Sequence, residues 1–312
     1  MGVRTGVGTP ERAEAPAERT VRWLPARMQT ARWLRGLALA SVISNVVIVV
    51  TGGAVRLTNS GLGCPTWPRC VGDSLVPRSK LGINGVIEFT NRTLTFVIGV
   101  TLLATAVVAW RQRNQLRLAV LALLGIPAQA VLGGIVVLTD LNPWLVAAHF
   151  LLSAAIIAVT FVLWWRVSEQ RAEAVAPPVR WLTAGVATAS LLVLVAGTIV
   201  TGAGPHAGDL KHGTIHRIDL PINGLAQLHA DLVMVLIGLT VGAVAAGYAL
   251  RSAALRRAAL VLLGIELAQG AIGYTQYFLH VPPVLVGLHM LGACLVWIAA
   301  LWVVLAVRVS PG

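Results

Sequence analysis

The sequence predicts an all-α integral membrane protein, with eight transmembrane helices arranged as two parallel-repeat four-helix bundles. Three observations lead there. Of 312 residues, 57% are apolar and only 12% are charged, against about 25% charged in a soluble domain. Eight stretches reach the roughly 20 apolar residues that a membrane helix needs. Several polar residues recur at one fixed displacement between the two halves. This composition excludes a nucleic-acid-binding domain, a disordered chain and an ordinary cytoplasmic enzyme. A soluble bundle is excluded because most of these helices would have no polar face.

The spans fall at 37–55, 86–109, 117–138, 144–165, 181–201, 222–250, 255–277 and 283–307. Charge, proline or a glycine-rich turn separates each from the next. Span 2 is interrupted by Glu88, Asn91 and Arg92, and span 6 opens with Gln227, His229 and Asp231.

The net charge of +12 would suggest nucleic acid in a soluble chain. Here it reads first as topology. The segments before span 1, between spans 2–3, 4–5 and 6–7, and after span 8 hold 17 basic residues, among them Arg32, Arg111, Arg166, Arg251 and Arg308. The opposite side holds 6: Arg56, Arg69, Arg78, Lys80, Lys211 and Arg217. The positive-inside rule then puts both termini in the cytoplasm of a multi-pass cell-membrane protein. Some of these arginines are placed to meet anionic lipid.

Residues 1–36 are rich in Arg, Pro and Ala, without the apolar run of a signal peptide. They read as a cytoplasmic tail, with Trp23 and Trp33 at the interface. Residues 37–167 form a first four-helix unit and 181–308 a second. Between them, 168–180 is a linker carrying Pro177 and Pro178.

Gln129, Gly133, Pro143 and His149 recur 140 residues later as Gln269, Gly273, Pro283 and His289. Thr51-Gly52-Gly53 is echoed by Thr201-Gly202-Ala203. Four spans separate the copies, so both start on one membrane side, as in a parallel repeat. Duplication of a four-span unit explains these matches better than shared apolar composition does.

The repeat makes the histidines informative. His149 and His289 lie early in spans 4 and 8, just after outer prolines, and His229 lies early in span 6. Ionisable groups inside a membrane usually mark function. A lone one can be satisfied by a backbone carbonyl. Two at similar depth in one bundle suit axial ligation of a haem iron. The first unit offers His149 alone. Its counterpart to His229 is Asn91, a poor iron ligand, which leaves a coordination position open.

Glu88, Asn91 and Arg92 share one helix face. Glu88 reads either as half of a structural pair with Arg92 or as a proton-relaying acid beside the open site. Arg92 alternatively meets a haem propionate. Glu266 and Asp231 read as structural or interhelical groups.

Cys64 and Cys70 lie in the long outer loop, within Gly61-Leu62-Gly63-Cys64-Pro65-Thr66-Trp67-Pro68-Arg69-Cys70. That compartment permits disulfides, and the pair reads as a disulfide or a redox-active couple. Cys294 reads as packing. His206, His212 and His216 in the second outer loop read as solvated, as neighbours of haem propionates, or as a metal tract. Gly238 and Gly242 form a small-xxx-small pair.

Together these residues resemble the haem A synthase family, membrane enzymes that convert haem O to haem A for terminal oxidases. The resemblance rests on Thr51–Thr58 and the cysteine loop, Ile87-Glu88-Phe89-Thr90-Asn91-Arg92, Gln129 with Gly133, and His149. In the second half it rests on Gln227-Leu228-His229-Ala230-Asp231, Gln269 with Gly273, and His289. It covers residues 36–307, essentially all eight spans. It implies a substrate-haem site in the first unit and a b-haem cofactor site in the second.

His229 and His289 would be the cofactor-haem ligands, His149 the substrate-haem ligand, Glu88 the catalytic acid and Cys64–Cys70 a disulfide. Asn91 and Arg92 would neighbour the substrate. Many family members have a histidine where this chain has Asn91, so a two-histidine substrate site is not implied here. The resemblance further implies haem b iron as cofactor and haem O as substrate. Haem O synthase and an electron donor would be partners in a membrane-lipid setting, with no nucleic acid and with a homo-oligomer open. The haem sites would lie toward the outer face. Two rivals stand beside it: a di-haem b-type electron-transfer protein, and a haem transporter or chaperone.

Overall fold

The structure is a computed structural model that describes residue 2 and residues 26–78, 81–170, 172–209 and 216–309. Arg4, Arg12, Arg19, Arg22, Trp23, Lys80, Arg171, Lys211 and His212 lie outside the described residues. Eight helices are long and apolar enough to cross a membrane. They are α1 (Ala26–Leu57), α2 (Gly82–Gln112), α3 (Leu116–Leu138), α4 (Pro143–Val167), α5 (Pro177–Ala203), α6 (Ile222–Ala249), α7 (Ala253–Phe278) and α8 (Pro283–Leu305). Each expected span lies almost wholly inside one of them.

The differences sit at the ends. Helix α1 starts at Ala26, inside the stretch expected to be tail. That segment is mostly Ala, Arg, Met, Gln and Leu, strong helix formers that outweigh Thr30, Trp33 and Gly36. Helix α5 starts at Pro177, inside the expected linker, with proline in its first turn; proline there gives up no intrahelical hydrogen bond. The rest of the linker holds a strand, β1 (Glu173–Val175), which pairs in parallel with β2 (Val307–Val309) just after α8. Glu173 also accepts the Ala254 N–H at 3.1 Å, which ties the linker to the start of α7.

Within each unit the helices pack in a ring, α1–α2–α3–α4 and α5–α6–α7–α8. The units meet where α1 touches α8, and where α4 touches α5 and α8. An apolar seam fills the join, with Val49, Ala154, Ile157, Leu194, Cys294 and Trp297 buried together. One polar bond crosses it, Trp297 Nε1–H to the Ala154 carbonyl at 2.9 Å.

The turn between α3 and α4 and the one between α7 and α8 have the same shape. Asp140 and Leu141 are both left-handed, and so are His280 and Val281, 140 residues on. The Leu141 N–H reaches the Val136 carbonyl, and the Val281 N–H reaches that of Gln276, at the same displacement. Each turn delivers a proline into the first turn of the next helix, at Pro143 and Pro283. His149 and His289 then stand six residues further in, roughly 9 Å along the axis.

Candidate functional site

Helix α6 carries His229 and α8 carries His289. Their ring centroids are 6.4 Å apart, with planes at 69°. Metal–imidazole nitrogen bonds are about 2.0–2.1 Å in zinc sites, which puts two rings on opposite sides of one metal roughly 6.3 Å apart. The spacing fits one iron between the two rings. Both rings are half-buried with Nδ1 enclosed; that of His289 has no hydrogen-bond partner, while the His229 ring faces the Val193 carbonyl of α5. The open side of the ring is therefore the Nε2 side.

Each ring is seated on a glycine of the preceding helix. A Cβ on Gly197 of α5 would lie 3.2 Å from His229 Cε1, and one on Gly273 of α7 would lie 3.6 Å from His289 Cε1. The first unit repeats this with His149 of α4, whose Cε1 would stand 3.1 Å from a Cβ on Gly133 of α3. Gln129 Nε2 donates to the His149 carbonyl at 3.1 Å and to Ser153 Oγ at 2.7 Å, fixing α3 against α4 at this level. His149 Nδ1, too, is enclosed and unpartnered.

The fourth position belongs to Asn91. Its Nδ2 lies 3.9 Å from a Cβ built on Gly52 of α1. Thr51 donates its hydroxyl to Asn91 Oδ1 at 2.8 Å. Gly52 thus faces Asn91 at ordinary contact distance, where a Cβ on Gly197 would press on His229. Gly202 lies against Ile218 and Pro143.

Glu88 sits one turn before Asn91 and is 5% exposed. Oε1 accepts from Arg92 Nε at 3.1 Å and Nη2 at 2.5 Å, and Oε2 accepts the Cys64 N–H at 2.5 Å. Arg92 also donates to the carbonyls of Thr66 at 3.0 Å and Cys64 at 2.9 Å. The ion pair therefore holds the cysteine loop by its backbone. Cys64 and Cys70 form a disulfide, both essentially buried. The Trp67 ring fills the space over Gly134, next to the glycine that seats His149. The loop lies over α2 and α3 as a cap on the first unit.

The outer loops also interlock. Arg56 donates to the His206 carbonyl at 2.6 Å and the Thr201 carbonyl at 2.9 Å. His206 Nε2 bonds the Val281 carbonyl at 2.9 Å, and Gly61 N–H donates to Gly208 at 2.9 Å. His206 is thus a structural tie, while His216 is exposed. Among the described residues no three His, Cys, Asp or Glu side chains gather at a metal-binding spacing.

Asp231 accepts from Gln227 on the exposed face of α6 at 2.7 Å, and Glu266 accepts from Thr240 at 2.8 Å inside the second unit. Cys294 is buried in the seam. A Cβ on Gly242 would meet Leu182 of α5, whereas one on Gly238 would meet nothing, so the small-residue pair is not a helix contact as a pair.

A sequence model of the cytochrome oxidase assembly protein family, COX15-CtaA, matches residues 35–209. The chain belongs to that family. Its match runs from α1 into the loop after α5, so it includes Cys64, Cys70, Glu88, Asn91, Arg92 and His149. His229 and His289 lie beyond it. Among relatives, the Heme A synthase of Lysinibacillus sphaericus is 33% identical over 184 residues, 55% of this chain and 59% of that one. That of Bacillus licheniformis is 30% identical over 149 residues, 45% of this chain and 48% of that one. That of Exiguobacterium sibiricum is 29% identical over 168 residues, 51% and 56% respectively. The matched part of the chain spans about half the length of these relatives.

Sequence reasoning named the side chains that project into the two sites but not the surfaces beneath them. Gly52 and Gly197 went unassigned because a helical glycine has no spacing signal of its own. Trp67 gave no hint of docking on Gly134, since that contact joins residues far apart in the chain.

Proposed function

We propose that this chain is a haem A synthase, oxidising a methyl group of haem O to a formyl group. The observation that carries the reading is the asymmetry of two matched sites. Helices α6 and α8 carry two histidines at the spacing of a shared iron, whereas in the first half the position that answers to His229 in the sequence is Asn91, with His149 the one membrane histidine. A pure di-haem electron carrier calls for two complete histidine pairs.

In this reading His229 and His289 hold a b-type haem iron in the second unit. Bound there, that haem supplies one-electron transfer. Glycine seats beneath both rings, and the Val193 carbonyl beside His229, support ring positions set by the preceding helices. His149 takes the iron of haem O from one side. Haem O has a long apolar tail, so entry from the lipid between helices suits it.

Each of two hydroxylations would put one oxygen atom of dioxygen on the methyl carbon and reduce the other to water with two electrons and two protons, and the gem-diol would then lose water to give the aldehyde. Electrons come from a separate donor, and haem O from a haem O synthase. The positive-inside count supports a cell-membrane protein with both termini in the cytoplasm and the two sites toward the outer face. The matched turns, seats and packing rings support two copies of one four-helix unit, residues 37–167 and 181–308.

Glu88 is the acid of the site. Both its oxygens are engaged, so its first task is to hold the Cys64–Cys70 loop and Trp67 over the first unit. This keeps water from the oxidised carbon.

The test is conversion in membranes that contain haem O. Extraction of haem A or its hydroxylated precursor supports the reading. Two tightly held haem b groups with no conversion would refute it in favour of electron transfer.

A further inference from the structure

The carboxamide of Asn91 is shorter than an imidazole. With its Nδ2 3.9 Å from a Cβ built on Gly52, it reaches only the near part of the volume that an imidazole at this position would fill. The far part, where Nε2 of a histidine would stand, holds no atom of this side chain. Thr51 donates to Asn91 Oδ1 at 2.8 Å. That bond occupies the acceptor end of the amide and leaves the two N–H groups of Nδ2 as the groups to be satisfied. Nδ2 is not enclosed like the histidine Nδ1 atoms, so its N–H groups are within reach of a guest molecule. No hydrogen bond from Nδ2 is formed within the described residues.

We infer that Asn91 is a hydrogen-bond donor, oriented by Thr51, to a small ligand on the open side of the haem that His149 holds. The ligand class is a diatomic or a single-oxygen acceptor that fits the missing half of an imidazole. This inference rests on the haem reading above and adds to it a role for the one position where the two units differ in kind. The second unit closes its iron with a side chain. The first keeps the same place for a guest and offers it a polar contact. Thr51 acts through Asn91, so it is a positioning residue.

The test uses the full chain, loaded with haem, reduced and exposed to carbon monoxide, with the C–O stretch read by infrared spectroscopy. Wild type should give a carbon monoxide complex with one narrow band. Asn91→Leu should keep the complex and shift the band to higher wavenumber, since a donor near the oxygen lowers it. Thr51→Val should split or broaden the band, because the amide loses its restraint. Asn91→His should make the site low-spin and abolish carbon monoxide binding.

The low-spin spectrum of the second unit, retained in each variant, shows that the variant has folded. An unchanged band in Asn91→Leu overturns the donor role while the haem reading stands. Undiminished carbon monoxide binding in Asn91→His overturns the placement of residue 91 across from His149. No carbon monoxide-reactive haem in the wild type overturns the haem reading and this inference with it.

Discussion

The two four-helix units use the same supports for different side chains. Each sets the ring after its proline-started helix on a glycine, Gly133 under His149 and Gly273 under His289. Each sets the partner position on a glycine as well, Gly52 under Asn91 and Gly197 under His229. The supports are alike, and what they carry differs: Asn91 against His229, and a disulfide loop over α2 and α3. The second unit presents two imidazoles 6.4 Å apart. The first presents one, under a disulfide loop pinned by a buried Glu88–Arg92 pair. A fold that needs two roles from one architecture can separate them by closing one coordination position and leaving the other open.

The largest effects break this division outright. Replacing His289 or His229 by Ala should remove the low-spin haem spectrum, and retention of that signal would refute the ligand assignment. His149→Ala should instead abolish conversion of haem O while the low-spin signal persists. Loss of both signals together would mean that the units are not separable.

A smaller group of effects concerns the cap. Glu88→Ala leaves the Arg92 charge partly buried without its partner and should weaken the docking of the loop by about 2–4 kcal/mol. Conversion should fall to background with the low-spin haem spared. Trp67→Ala acts on the same loop. In a double-mutant cycle read by protease sensitivity of the loop, the two changes should be less than additive. Full additivity would detach Glu88 from the cap and leave it as an acid acting on its own.

The seats sharpen the comparison further. An alanine Cβ at Gly197 would press His229 at 3.2 Å, while one at Gly273 would meet His289 at an ordinary 3.6 Å. Gly197→Ala should lower haem retention several-fold, and Gly273→Ala should leave it near wild type. The reverse order would show that the rings move on binding. The smallest effect expected is at the joint between the outer loops. Arg56→Ala removes the bonds to the His206 and Thr201 carbonyls; the second is exposed, so water replaces the lost donor there, and a typical net bond is worth about 0.5–1.5 kcal/mol. It should lower thermal stability by a few degrees without changing either haem signal.

Much of this was legible in the sequence because membranes simplify it. Span positions follow from apolar runs, and the handful of ionisable residues inside them had to be explained. The fixed displacement from His149 to His289 announced the matched turns at Leu141 and Val281. What could not be read was contact between distant residues. Glu88 as the anchor of Cys64, Trp67 over Gly134 and Thr51 on Asn91 depend on how helices are rotated against each other. Apolar helices carry little amphipathic signal to say so. The parallel pairing of Glu173–Val175 with Val307–Val309 was equally hidden, since three-residue strands at a helix end have no pattern to detect.

The central claim is that the two sites differ in coordination. It is tested most directly by adding carbon monoxide to the reduced, fully haem-loaded chain and following the optical spectrum. The account predicts one low-spin haem that ignores the gas and one haem that binds it. Two low-spin haems, both inert to carbon monoxide, would contradict it.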